Sequence, residues 1–320
     1  MAQLWSNTGQ GFMASDILSE NWRTSLQPLT RFRQYCDVEE AIGTGNGEVY
    51  NWTVYGDTSD DATAGVRELQ ETEAMPTTSF PVSQGTVTLT EHGIAIPNSL
   101  KYESMSEHNV PEIITKTLKN DANRTFDRMA HAAFDDALIQ GIGAASGAVA
   151  FSDDGIAGGT NTQAMSKDHI KTIRDYMEER NIPTFDGEDY CATMRPSTIR
   201  PVIDDLESIH QYVDEGWKRI VNGERGRYEG VRFSCYTNIA SEAWTSGLSD
   251  AAYFFGADTV TEAIAIPEEL RGKIPDDYGR SKGIAWYYLG AFALTHGDTT
   301  STETKKQARI VKWASDDATA

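Results

Sequence analysis

One stretch constrains this chain more than any other. From Asn109 to Gly141, apolar or small residues recur at steps of three and four: Ile114, Leu118, Ala122, Thr125, Met129, Ala133 and Ala137. Phe126, Phe134 and Leu138 widen that stripe. Charged side chains, including Lys116, Lys119, Arg124 and Arg128, fill much of the rest of the circumference. Asn109 is placed to cap the start, with Glu112 in the first turn and Pro111 where a missing N–H does no harm. Gly141 and Gly143 mark the expected end. A helix over about 109–140 would be a rod of roughly 45 Å. That exceeds the three or four turns usual in a compact domain, so the stretch reads as a spine along which other elements pack. No heptad seam with charged flanks is sustained, which argues against a coiled coil.

The chain has 320 residues, which points to one large domain or two medium ones. Its 39% hydrophobic content implies a lean core and a polar surface. The longest apolar runs, such as Ile284 to Leu294, are too short to cross a bilayer. The opening Met1-Ala2-Gln3-Leu4-Trp5 lacks the pattern of a secretory signal, so folding in a cytoplasm and no membrane partner are expected. Cys36, Cys191 and Cys235 are scattered, which fits neither a disulfide framework nor a zinc site, and they read as small buried hydrophobes. With 48 acids against 28 Lys and Arg, the net charge is −20. Such a chain is repelled by phosphate backbones, so general nucleic-acid affinity is not expected.

Residues 1–46 read as an arm. Ser15 or Asp16 can open a short helix carrying Ile17, Leu18, Trp22 and Leu26, and Trp5, Phe12, Trp22 and Phe32 need a surface to pack on, in this molecule or a neighbour. The glycines of 43–47 resemble a phosphate loop only superficially and read as a hinge. Residues 47–100 are β-rich: Glu48 to Tyr55 alternates like a strand, and Thr86 to Leu89 and Ile94 to Ile96 read as returning strands. The polar excursion Asp57 to Ser83 is long for a compact domain and reads as a projecting flap. It is acidic, carrying Glu68, Glu71 and Glu73 against Arg67 alone. Residues 101–166 carry the spine and a glycine-rich hairpin or loop after it.

Residues 167–285 alternate helices and strands like a separate α/β lobe. Asp168 opens one helix, Asp189 to Met194 forms a strand, Arg195-Pro196 leads into another helix, and Trp217 to Val221 is a further helical piece. Gly226 to Ser234 reads as a turn into a strand, Ala252 to Phe255 as a buried strand, and 264–282 as a long loop. Residues 286–320 read as strands returning to pack on the spine, then a frayed tail.

No catalytic constellation emerges. The six histidines show no metal spacing, and there is no His-Glu-x-x-His, Cys-x-x-Cys or Gly-x-Ser-x-Gly. Adjacent acids such as Asp204-Asp205 are expected by chance in a chain with 48 of them. Asp186 to Asp189 lacks the full twelve-residue calcium-loop pattern. No enzyme activity, cofactor or metal is therefore expected.

The order of parts resembles the major capsid protein of tailed bacteriophages, the Hong Kong 97-type α+β fold, in its podovirus-like branch. The residues that carry the resemblance are Glu71, the strand pair around Glu91-His92-Gly93-Ile94-Ala95, the spine from Ile113 to Ile139, Arg195-Pro196-Ser197-Thr198, Gly226 to Phe233, and Gly283-Ile284-Ala285-Trp286. The resemblance implies an N-terminal arm, an extended β-hairpin loop, a peripheral domain built on the spine, and an axial domain at 167–285. It implies self-assembly into hexamers and pentamers of an icosahedral head enclosing double-stranded DNA. The location implied is the virion, with assembly in the host cytoplasm. It further implies a portal, a separate scaffolding protein, since only about 46 residues precede the flap here, and room for a cementing protein. Residues 47–100 contain no lysine, so an isopeptide weld from this loop is ruled out. The acidic flap, with Arg67, Glu68, Glu71 and Glu73, is expected to lie on cations of another subunit: Lys116, Lys119, Arg124 and Arg128 first, Arg31 and Arg33 second. The competing readings are an encapsulin-like bacterial shell, another phage structural subunit, and an acidic enzyme whose site has no recognised motif.

Overall fold

A computed structural model describes residues 31–40, 47–56, 71, 80, 82–144, 147–159, 161, 163–185, 187–210, 224–239, 251–275, 277–300 and 305–313. The expected helix in the arm, the glycine hinge over 43–46, the piece Trp217 to Val221 and the tail lie outside these residues. Strands β1 (Asp37–Glu40), β2 (Val49–Tyr55), β3 (Val82–Thr88) and β4 (Thr90–Ser99) come first. Helices α1 (Leu100–Met105) and α2 (Val110–Asp135) follow, then β5 (Ile139–Gly143), β6 (Val149–Ser152) and α3 (Lys167–Glu179). Next are β7 (Tyr190–Met194), α4 (Pro196–His210), β8 (Glu224–Tyr228), β9 (Val231–Cys235) and β10 (Ala252–Phe255). The last described elements are β11 (Val260–Gly272), β12 (Ser281–Leu294) and β13 (Ile310–Trp313).

These strands build a four-stranded sheet in the order β1-β11-β12-β4, a seven-stranded sheet in the order β6-β5-β13-β10-β7-β9-β8, and the hairpin β2-β3. The seven-stranded sheet is covered on both faces, which is why Ala252–Phe255 is apolar throughout rather than alternating. Phe254, Met194 and Trp313 face α3 and α4, where Ile170, Ile173, Met177 and Val202 complete one core. Tyr253, Phe255, Cys191 and Ile310 point the other way, onto Ala130, Ala133 and Phe134 of α2. The first half of α2 serves the other sheet. Ile114, Leu118, Ala122 and Phe126 pack on Trp286 and Tyr288 of β12. Buried positions along α2 step almost strictly by four: Val110, Ile114, Leu118, Ala122, Phe126, Ala130, Phe134. Each such step advances about 40° around a 3.6-residue helix. The apolar stripe therefore winds, and one rod meets both sheets.

Several expectations are corrected. The spine, expected over about 109–140, ends at Asp135, so its 26 residues make a rod of roughly 39 Å. Ile139–Gly143 is instead a strand, parallel to β13. Glycine is the reason: a Cβ on Gly143 would lie 2.4 Å from the buried Trp313 ring, so the residue serves close packing, not a helix cap. Asn109 does occupy the N-cap, but its side chain makes no capping bond. The α3 cap is Ser166, which shares a capping box with His169, rather than Asp168. Residues expected as a loop from 264 are the second half of β11, paired to β12 through Gly272. The expected boundary at 285–286 falls inside β12; β12 and β13 lie in different sheets, and both pack on the spine as expected, through Trp286 and Tyr288 and through Ile310. Cys191 and Cys235 are buried, as read; Cys36 is only half-buried.

Gly143→Val is expected to destabilise the protein by about 1–3 kcal/mol through overpacking against Trp313. A urea titration with unchanged slope checks this; a midpoint equal to that of the wild type would show that the ring has room to move.

Candidate functional site

The site has two parts, a docked leader and a projecting hairpin. In the leader, three consecutive residues bind in three different ways. The backbone N–H groups of Arg31 and Phe32 donate to Asp127 Oδ1 at 2.7 and 2.9 Å. Asp127 is 1% exposed, and Asn238 Nδ2 lies 3.3 Å from its other oxygen. Burial pushes this carboxyl above its ordinary range, against the pull of the donors around it. Phe32 is wholly buried, its ring centroid 4.6–5.7 Å from those of Tyr236, His131, Phe134 and Tyr253. Arg33 forks onto Glu262, with Nε at 3.0 Å and NH2 at 2.8 Å, and NH1 reaches Glu268 at 3.1 Å. Its guanidinium also covers the Phe126 ring at 4.6 Å. The Glu262 side chain is fully buried and accepts from Tyr288 Oη at 3.0 Å. Although burial opposes its charge, the two glutamates hold Arg33 more firmly protonated than a free arginine.

Arg33, expected as a second-rank contact for another subunit, is paired within its own chain to Glu262 and Glu268. Arg31 is also tied down through its backbone. Nothing in the local sequence announced the docking, because its partners lie about ninety to two hundred and thirty residues away. The available signal was a buried-type Phe32 flanked by two arginines in an arm otherwise read as loose.

At the far end of α2 a second polar chain ties the helix to the seven-stranded sheet. His131 Nε2 lies 3.0 Å from Tyr253 Oη, which donates to Asp135 Oδ1 at 2.7 Å. Lys312 of β13 reaches the same carboxylate at 2.7 Å. Burial alone would raise the Asp135 pKa, but Lys312 and Tyr253 hold it below the usual carboxylate range.

The hairpin β2-β3 lies across the opposite face of the four-stranded sheet from α2. Tyr50, Trp52 and Val87 pack on Ala263 and Ala291. Trp52 Nε1 donates to the Thr295 carbonyl at 2.9 Å, and its indole occupies the space a Cβ on Gly85 would need. The other face alternates outward. At its distal end Tyr55 is 71% exposed, Phe80 56% and Val82 54%, with Tyr55 and Phe80 in ring contact at 6.2 Å. Glu71 is exposed; Arg67, Glu68 and Glu73 lie outside the described residues. On the spine, Lys116, Lys119 and Arg128 are exposed, and Arg124 is drawn to Asp121 at 3.6 Å. At 100° per residue these four cations spread over about 180° of the helix, so they do not form the single stripe a strap would need. Among the described residues no three His, Cys, Asp or Glu side chains converge as a metal site would require. No described helix is long and apolar enough to cross a membrane.

No family profile matches the sequence, and no curated protein matches it. Solved structures do. The capsid of cyanophage P-SCSP1u superposes with a TM-score of 0.65 at 11% identity, over 98% of this chain and 96% of that one. The capsid of Ralstonia phage GP4 gives 0.65 at 12% identity over 96% and 97%. The cyanophage Pam1 capsid gives 0.62 at 14% identity over 99% and 100%. The chain has the phage capsid fold of the Hong Kong 97 type. At such low identity it is the fold that is shared, over nearly the whole of both chains.

Two outcomes are expected. Phe32→Ala should cost about 3–5 kcal/mol, as for a large aromatic removed from a core; a loss within the scatter of surface changes would mean the leader is not docked in solution. Lys312→Met should lower stability at neutral pH. A depressed native pKa stabilises above the unfolded-state value and ceases to as pH falls through the native one. The gap in urea midpoint between Lys312→Met and wild type should therefore narrow on acidification below the ordinary aspartate range. A constant gap would place the effect in packing.

Proposed function

We propose that the chain is a coat protein, many copies of which assemble into hexamers and pentamers and close an icosahedral phage head around double-stranded DNA. The observation that supports this most strongly is end-to-end correspondence with capsid subunits of near-equal length. In this reading β2-β3 with its acidic excursion is the extended loop that overlaps a neighbouring copy. The four-stranded sheet with α2 is the peripheral domain, and the seven-stranded sheet with α3 and α4 is the axial one. The axial sheet then draws on 139–152 and 310–313 as well as on 167–285. The protein acts as a structural component of the virion, assembled in the host cytoplasm with a separate scaffolding protein and a portal. The net charge of −20 suits a wall that must not adhere to its phosphate-rich cargo.

The hairpin contact itself is proposed in revised form. Its outer apolar end, Tyr55, Phe80 and Val82, supplies area that ion pairs alone would not, since exposed pairs are worth about 0–1 kcal/mol each. Glu71 and its acidic neighbours Glu68 and Glu73 then select a surface by charge, with Lys116, Lys119 and Arg128 as the remaining candidates on the spine.

Expression of the protein followed by sedimentation and electron microscopy tests this. Wild type is expected as large hollow particles. Tyr55→Asp combined with Phe80→Asp should keep the wild-type circular dichroism and melting yet remain as small species. Particles from that double variant equal to wild type would refute the hairpin contact; a discrete small oligomer from wild type, alone and when co-expressed with its scaffolding partner, would refute the shell.

A further inference from the structure

Where the two sheets meet, the structure holds a cavity of about 10 Å³. Leu294 at the end of β12 and Ala308 and Ile310 at the start of β13 give it apolar walls, and Thr259 and His296 line it as well. Thr259 is 2% exposed and the His296 side chain 6%. Thr259 Oγ1 and His296 Nδ1 are both buried and have no hydrogen-bond partner among the described residues. Leaving two such atoms unpaired would cost about 1–3 kcal/mol each. The volume is about that of one water-sized sphere.

The chemistry of the ring decides what can fill it. His296 Nε2 lies 3.0 Å from Asp258 Oδ2, and Arg309 NH1 lies 3.0 Å from the same oxygen. A carboxylate only accepts, so Nε2 carries a proton, while Nδ1 accepts in a neutral ring and donates in a charged one. A metal ion would find one nitrogen and one hydroxyl, short of the four ligands of a zinc site and of the oxygen cage of calcium. Water fits the size and pairs with Nδ1 and with a hydroxyl in either sense.

We propose that one structural water occupies this cavity and bridges His296 Nδ1 and Thr259 Oγ1. Its place gives it a role. Thr259 precedes β11 and His296 follows β12, both strands of the four-stranded sheet, while the opposing wall belongs to β13 of the seven-stranded sheet. The water thus pairs the two polar atoms left over at a joint that Arg309, next to β13, already crosses to reach Asp258 Oδ2.

The test is a map of the intact protein, isolated or assembled, fine enough to show ordered water. A single peak is expected within about 2.7–3.2 Å of both atoms. Thr259→Val should lose it and Thr259→Ser should keep it. The proposal is overturned if wild type shows no peak with both side chains in place, if either atom turns to a protein partner, or if the peak survives in Thr259→Val. Should the valine variant fail to fold, the wild-type map and the serine variant decide.

Discussion

The structure depends on one helix serving two sheets at once. Helix α2 buries a stripe that winds around its axis, so its first half faces Trp286 and Tyr288 and its second half faces Tyr253 and Phe255. Neither sheet is then independent of the other. The leader is fastened at the point where the stripe crosses over: Asp127 takes its backbone, the ring cluster takes Phe32, and Glu262 takes Arg33. Asp127 and Glu262 are acids at 1% and 0% exposure. Removing one partner of such a pair strands a charge, and that costs more than the pair is worth intact. Residues 31–33 are for this reason part of the core.

The same arrangement determines what remains for other molecules. With Arg33 spent on Glu262 and Glu268, and Arg124 drawn to Asp121, the cations able to receive an acidic hairpin are fewer than their number in the sequence. The hairpin is pinned at its base by Trp52 and open at its distal end, where Tyr55, Phe80 and Val82 stand exposed. A two-stranded ribbon is marginal in water by itself. One face rests on its own sheet, and in an assembled shell the other would rest on a neighbour.

Much of this could be read in the residues, and the failures have physical causes. The steps of three and four from Ile114 to Ala137 gave the spine, and alternation in Glu48 to Tyr55 gave the first hairpin strand, because local periodicity reports which face is buried. The end of the spine was misplaced because Ile139-Gln140-Gly141-Ile142-Gly143 continues an apolar pattern that suits either state. Trp313, distant in sequence, is what requires a glycine at 143. The second half of β11 was read as a loop because its last residues are exposed and polar; they are strand through pairing with β12. The intrachain pairing of Arg33 was not legible for a related reason. An arginine next to an aromatic looks the same whether its carboxylate is in the same chain or another, and Glu262 is two hundred and twenty-nine residues away.

The claim that most needs testing is that the body is complete in one molecule while the outer hairpin face is not. Hydrogen exchange, compared between isolated subunits and assembled particles, addresses it directly. The account predicts that α2, β10 and β12 are protected alike in both states, while 49–55 and 82–88 become strongly protected only on assembly. Equal protection of those strands in the isolated subunit would contradict it.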